Sequence, residues 1–275
     1  MSIITVDQHI CIKCGRCAAV CPRGLIHLEP EWPTDSSSNA GELCVACGHC
    51  VAVCPVAALD NVKAPLSHQT EITGPGITDP VAAANFLRSR RSIRLYKNQP
   101  VPREKLVQLL DLARFAPTGS NSQGISYLVV ENKTKLQTFT EQTVNWLEEM
   151  AANTPSAGGY AQYAQIYRRT GQDVILRDAP CAVLGMADKT FARGRENTNF
   201  AFAYAELFAP SIGLGACWAG LFQAAVFSGY EPLLDTLKLP AGKSLTGALM
   251  VGIPEFGYRR LPERNPLEIS FDSAN

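Results

Sequence analysis

Ten cysteines stand in this 275-residue chain, and eight of them fall within the first 54 positions. Cys11, Cys14, Cys17 and Cys21, followed by Pro22, recur as Cys44, Cys47, Cys50 and Cys54, followed by Pro55, so the pattern C-x2-C-x2-C-x3-C-P occurs twice. Three thiolates at consecutive x2 spacing on a tight loop can hold three corners of an iron–sulfur cubane. The fourth, on the helix that follows, faces away and ligates the other cluster of the pair. The spacing therefore predicts one [4Fe-4S] cluster on Cys11, Cys14, Cys17 and Cys54, and a second on Cys44, Cys47, Cys50 and Cys21. Structural zinc needs only two separated C-x2-C pairs, which leaves the third cysteine and the C-P ending of each copy without a purpose. His49 lies inside the second loop, but with eight thiolates already supplied it reads as a solvated neighbour.

A second group of residues could bind an anion. Arg88, Arg90, Arg91 and Arg94 fall within seven positions, interleaved with Ser89 and Ser92. Fixed guanidinium donors suit a phosphate group or the anionic edge of a reduced flavin, although the run taken alone fits a solvated helix end or a nucleic-acid patch at least as well. Ala116 to Gln123 is a loop of short hydrogen-bonding side chains, by itself a turn and a helix cap. The stretch from Gly252 to Pro262 places Arg259 and Arg260 after a strand. Cys181 and Cys217, isolated in apolar surroundings, read as small buried hydrophobes.

The elements needed to position these groups alternate along the chain. Residues 1–62 carry the cysteine repeat, 63–80 form a Pro/Gly/Ser/Thr-rich linker, and 81–275 a second domain. The longer insertion between the repeats, Glu29 to Gly41, reads as a surface loop. Pro102 to Phe115 predicts a helix with Leu106, Leu109, Leu110 and Ala113 on one face and with Glu104 and Arg114 suiting its two ends. Tyr127–Glu131, Cys181–Met186 and Gly247–Ile253 read as short buried strands, and Arg193–Ile212 as a long apolar helix. Helices on a central sheet, an α+β fold, is the expected architecture.

Residues 1 to about 60 resemble the bacterial two-[4Fe-4S] ferredoxin domain. In the second domain, R-R-S-x-R, then A-P-T-x-x-N-x-Q, then G-L-G-A-C-W, then a terminal G-x-P with R-R-L-P resemble, in that order, the FMN-dependent nitroreductase family. The likeness covers about 82 to 265, and the fusion of the two halves is similar to ferredoxin-fused nitroreductases. The resemblance implies a homodimer with FMN sites at the subunit interface. It places Arg90, Arg91, Ser92 and Arg94 on the flavin phosphate and pyrimidine edge, and Thr118, Gly119 and Asn121 on the loop that reaches the flavin from the other subunit. Ala219 and Gly220 match the segment whose backbone N–H approaches flavin N5, and Arg260, with Arg259, the C-terminal group on the phosphate. The chain departs from the family at Gly119 and at Gly124-Ile125, which border the substrate side.

Several function classes drop out. The 25 Lys and Arg balance 25 Asp and Glu, so the basic excess of a nucleic-acid binder is missing. Gly213-Leu214-Gly215 lacks the third glycine of a dinucleotide fingerprint. No histidine follows His68, which excludes a Ser-His-Asp triad in the second domain; a proton used there comes from solvent, the flavin, or a Tyr, Lys or carboxylate. The apolar stretch Phe200–Phe227 is broken by Glu206, Pro210 and Gly213, unlike a membrane span, and the first residues lack a signal-peptide pattern. A cytoplasmic oxidoreductase is expected, one that takes electrons from an external low-potential donor such as ferredoxin, through two [4Fe-4S] clusters to FMN, and on to a small electron-poor acceptor: a nitroaromatic, a quinone or an activated alkene. Two alternatives remain: a non-catalytic electron-transfer module docking on a partner enzyme, and a nitroreductase using NAD(P)H directly.

Overall fold

Each cysteine repeat folds into a loop closed by a single helical turn, and the glycine before that turn permits the closure. Gly15 and Gly48 both sit at φ 72, a left-handed conformation that costs a β-carbon-bearing residue roughly 1 kcal/mol or more. The turns that follow are α1 (Arg16–Ala19) and, in the second copy, α3 (His49–Ala52). Around them, in a computed structural model that describes residues 2–28, 32–74, 79–153 and 158–272, β1 (Ile4–Val6) pairs antiparallel with β4 (Leu59–Asn61), with Ile4 opposite Asn61. Ile3, Ile4, Leu25, Ile26, Val51 and Leu59 bury a small core.

The stretch 29–41 corrects the expectation of a surface loop. β3 (Pro33–Asp35) pairs with β2 (Ile26–Leu28), His27 opposite Thr34, and α2 (Ala40–Leu43) follows. Pro33 is tolerated because it opens an outer strand, where its missing N–H takes nothing from a central ladder. Glu29 and Pro30 lie outside the described residues. Part of the expected linker also has structure: Leu66 N–H donates to Asp60 Oδ1 at 2.7 Å and Leu66–His68 forms a 3-10 turn. Pro75 and Gly76 lie outside the described residues. The chain divides into two units, Met1–Gly76 with Thr118–Ser122, and Ile77–Pro117 with Gln123–Asn275.

The second unit opens at α4 (Pro80–Ser89), capped by Asp79, whose carboxylate accepts from Val81 and Ala82 N–H. Then come α5 (Arg103–Ala113), β5 (Ser126–Val130), α6 (Lys133–Asn153), α7 (Gly158–Thr170), β6 (Cys181–Asp188), α8 (Gly194–Phe208), β7 (Gly215–Trp218), α9 (Gly220–Phe227), α10 (Glu231–Leu237) and β8 (Lys243–Gly252). The four strands form one antiparallel sheet in the order β5-β6-β8-β7. The two central strands, β6 and β8, are buried along nearly their whole length, because helices cover both faces. Alternation sorts their side chains: Ala182, Leu184, Ala248 and Met250 pack with α6, α9 and α10, while Val183, Leu249 and Val251 pack with α5 and α8. This is the expected α+β arrangement, with the apolar stretch around Phe202 serving as a core helix. Among the described residues no helix is long and apolar enough to cross a membrane.

Two close approaches depend on missing side chains. A β-carbon on Gly185 or on Gly247, which face each other across β6 and β8, would meet Thr198 Cγ2 at 2.6 or 2.7 Å. Their absence lets the Thr198–Phe202–Glu206 face of α8 sit low on the sheet. A β-carbon on Gly215 would meet Ile93 Cγ1 at 2.6 Å; without it, Ile93 N–H donates to Ala216 O at 2.9 Å, and the arginine run lies along β7.

Candidate functional site

The cysteines line two cavities. One is walled by Cys21, Cys44, Cys47 and Cys50, the other by Cys11, Cys14, Cys17 and Cys54. Each set takes three thiols from one repeat and the fourth from the other. Leu25 N–H points at Cys21 Sγ (3.3 Å) and Ala58 N–H at Cys54 Sγ (3.2 Å), and such donors stabilise a sulfur that carries negative charge. Burial pushes the Cys17 and Cys50 thiols up from their ordinary value, so a bound metal has to displace their protons. Four thiols around one cavity, three from a single loop, match the ligand set of a cubane cluster.

In the second unit, Ser92 bridges Ala216 on β7, which sets the arginines around it at the end of the strand that leads into α9. Arg90 Nη1 lies 3.5 Å from Glu206 Oε1 and 3.4 Å from Ser92 Oγ. Arg94 is exposed and donates to Ser92 O at 3.4 Å. Arg91 instead faces backbone: its Nη1 donates to the carbonyls of Arg88 and Arg90, both at 2.9 Å, and its Nη2 to that of Arg260 at 2.6 Å. Arg259 and Arg260 are exposed. Ala219 is buried and its N–H donates to Ala248 O at 3.0 Å. Gly220 opens α9, where the first N–H groups of a helix have no acceptor within the helix. An exposed guanidinium, a half-buried one and a helix start around one strand end form a donor set suited to a phosphorylated, partly anionic ligand.

Thr118, Gly119 and Asn121 stand apart in the division of the chain. Their segment belongs to the first unit, where Asn121 Nδ2 donates to Val45 O at 2.9 Å and Ala46 O at 3.0 Å, between Cys44 and Cys47. Cys181 and Cys217 are buried; desolvation raises both thiols, Cys181 to about 12, which leaves them protonated at neutral pH, as small hydrophobes should be.

Two residues at these sites were not singled out by sequence. Glu206 is 7% exposed; its Oε2 accepts from Trp218 Nε1 at 3.0 Å, while Oε1 is buried without a hydrogen-bond partner among the described residues. Desolvation raises its pKa, against the opposing pull of Arg90 and of the Trp218 hydrogen bond. Asn61, 3% exposed, lies beside Cys44 and Cys50. Asn61 carried a readable signal, a polar residue on the strand face of Leu59; Glu206 shares its buried helix face with Asn197 and Thr198, which weakens the signal.

The family follows from comparison. Residues 87–253 match the nitroreductase family. The chain belongs to the nitroreductase family. Ahead of that segment, residues 10–58 match the 4Fe-4S dicluster domain, so this nitroreductase-family protein carries a 4Fe-4S domain at its N-terminal side. The iodotyrosine deiodinase of Thermotoga neapolitana is 25% identical over 192 residues, 69% of this chain and 97% of that protein. The FMN reductase (NAD(P)H) of Bacillus subtilis is 24% identical over 61% of this chain, but the match spans only 64% of that protein. A nitroreductase with bound FMN from Desulfitobacterium hafniense shares the fold, with a TM-score of 0.55 at 22% identity over 68% of this chain and 97% of its own. The nitroreductase-family match includes Arg88 to Arg94, Ala219 and Gly220; Arg259 and Arg260 lie beyond it.

Proposed function

We propose that this chain is an iron–sulfur flavoprotein oxidoreductase, a cytoplasmic homodimer that draws electrons from an external low-potential donor such as ferredoxin and reduces a small electron-poor molecule: a nitroaromatic, a quinone or an activated alkene. The observation that carries the reading is the pairing, in one nitroreductase-family chain, of two four-cysteine cavities with an arginine-lined strand end. Cys11, Cys14, Cys17 and Cys54 would hold one cluster, and Cys21, Cys44, Cys47 and Cys50 the other. Arg90, Ser92 and Arg94, with Arg259 and Arg260, would hold the phosphate and the anionic ring edge of FMN. When bound, FMN accepts electrons one at a time and delivers a pair, which is the conversion needed between one-electron clusters and a two-electron acceptor.

The chain's own residues bind and orient. Arg91, tied to four carbonyls, braces the end of α4 against the C-terminal segment rather than offering its donors to a ligand. Of the matched N5 pair, Ala219 already donates to Ala248, which leaves the start of α9 at Gly220 to face the ring. The homodimer is supported by α4, a ten-residue helix with no buried residue that exposes Val81, Phe86 and Leu87.

The experiment is an anaerobic assay of the purified chain with reduced ferredoxin and, separately, with NADH and NADPH. The acceptor panel includes an iodinated phenol, because one relative is an iodotyrosine deiodinase. Ferredoxin-driven turnover supports the reading. Reducible cofactors without turnover of any acceptor would favour a relay module, and fast flavin bleaching by NAD(P)H a direct reductase.

A further inference from the structure

The two cysteine repeats correspond residue by residue beyond their ligands, which makes any break in the symmetry informative. Cys21 matches Cys54, Leu25 matches Ala58, Ile26 matches Leu59, and Leu28 matches Asn61. The backbone obeys the symmetry: the N–H four residues after each terminal cysteine points at its sulfur, at 3.3 and 3.2 Å. The last pair does not. Leu28 is a hydrocarbon, 38% exposed, whereas Asn61 is a polar amide, 3% exposed.

A buried amide is costly unless its donors and acceptor find partners, and those of Asn61 are specific. Oδ1 accepts from Lys63 N–H at 2.9 Å, which fixes the orientation of the amide plane. Nδ2 is thereby turned toward Cys50 Sγ at 3.7 Å and Cys44 Sγ at 4.0 Å. These two sulfurs line the same cavity. On the same side, Lys63 Nζ lies 3.3 Å from Cys44 O. The other loop has Lys13 and Arg16 where this one has Ala46 and His49, but both cations are exposed, where water and salt screen them.

We propose that Asn61 is a tuning residue that raises the reduction potential of the cluster held by Cys21, Cys44, Cys47 and Cys50, and that Leu28 leaves the other cluster without this contribution. The inference rests on the cluster assignment made above. Reduction places one electron, taken from an external one-electron donor, on the cluster and its sulfurs, with no atom transferred. An N–H directed at those sulfurs favours the more negative state, and hydrogen bonds to sulfur are among the factors that set cluster potentials. Asn61 therefore biases an electron entering the domain toward the cluster it touches.

The test is a redox titration of the anaerobic full-length holoprotein, followed by electron paramagnetic resonance, for wild type, Asn61→Leu and Asn61→Asp. Asn61→Leu copies the matching residue of the other repeat. Asn61→Asp keeps the shape and the acceptor for Lys63 N–H while removing the donor, so it covers the case in which the leucine variant does not fold. Iron is measured first: fewer than about eight atoms per wild-type chain would overturn the cluster assignment itself, separately from the role of Asn61. With iron intact, one midpoint should fall so that the reduced-to-oxidised ratio at fixed potential drops about tenfold, equivalent to about 59 mV for one electron, and the other midpoint should stay in place. Two unmoved midpoints, or two that shift together, overturn the proposal.

Discussion

Arg91 Nη2 donates to the carbonyl oxygen of Arg260 at 2.6 Å, joining the turn after α4 to a segment 169 residues further along the chain. The same guanidinium donates to the carbonyls of Arg88 and Arg90 and lies 5.6 Å from the Tyr258 ring. An arginine with its donors on carbonyls is a brace, and in the proposed flavin site its neighbours Arg90 and Arg94 would face the ligand.

Arg91→Ala is therefore expected to loosen the C-terminal segment. Unfolding free energy should fall by about 1–2 kcal/mol, the net worth of a few partly exposed hydrogen bonds, and trypsin should cut faster after Arg259 and Arg260. Arg91→Lys should recover little of this, since an ammonium cannot reach several carbonyls in a planar fork. Unchanged proteolysis in Arg91→Ala would remove the brace from the account.

Arg90→Ala should weaken FMN binding, measured by recovery of flavin fluorescence on dilution, by about 10- to 100-fold, the equivalent of one charge-assisted interaction of about 1.5–3 kcal/mol. Arg94→Ala is expected to act in the same direction. Full FMN occupancy in the double variant would contradict the placement of the phosphate and ring edge.

Glu206 gives a pH dependence with a definite sign. Burial raises its carboxyl above the ordinary value of about 4.3, more than Arg90 and Trp218 lower it. The folded chain then binds this proton more tightly than the unfolded chain, so the stability it contributes is present below that ordinary value and is lost as pH rises through the raised one. Glu206→Gln keeps an acceptor for Trp218 and removes the charge. In FMN-free protein it should be more stable than wild type at neutral pH, with the gap closing on acidification to about pH 4. Urea midpoints at several pH values measure this, and a gap that ignores pH would mean the carboxyl does not titrate in this way.

Cys47→Ser separates the two electron inputs. It should damage the cluster of Cys21, Cys44, Cys47 and Cys50 while FMN absorbance persists. Ferredoxin-driven turnover should collapse, whereas turnover with a small dye that reduces the flavin directly should largely survive. Full ferredoxin-driven activity in this variant, with flavin content confirmed, would show that this cluster is not on the route.

How legible all this was depended on how rigid each signal is. Ligand spacing tolerates no slack, and the two cavities each take three cysteines from one repeat and the fourth from the other. The helix from Arg103 to Ala113 was readable because leucines mark its face. α6 was not: Thr140 and Thr143 share its buried face with Leu136, Phe139 and Val144, which dilutes the apolar stripe. β7 is only four residues long, too short to show a period, and β3 begins on a proline, which argues against a strand locally until its partner β2 is known. Arg91 looked equivalent to Arg90 because sequence shows which residues are charged but not which way each side chain turns. The position of Asn121 against Val45 and Ala46 is likewise a long-range relationship that no local pattern contains.

The facing glycines at 185 and 247 carry a consequence for how this protein can vary. Thr198, Phe202 and Glu206 follow one another along a single face of α8, and the first two rest where those glycines leave room. A methyl group at either position lifts the helix, and the displacement is passed along it to Glu206, and so to Arg90 and Trp218. The middle of the sheet thus acts as a levelling surface for Arg90, the arginine proposed to face the flavin, two turns of helix away. A change as small as one carbon atom, buried in the sheet and touching no charged group, would on the proposed flavin site register first as altered flavin retention.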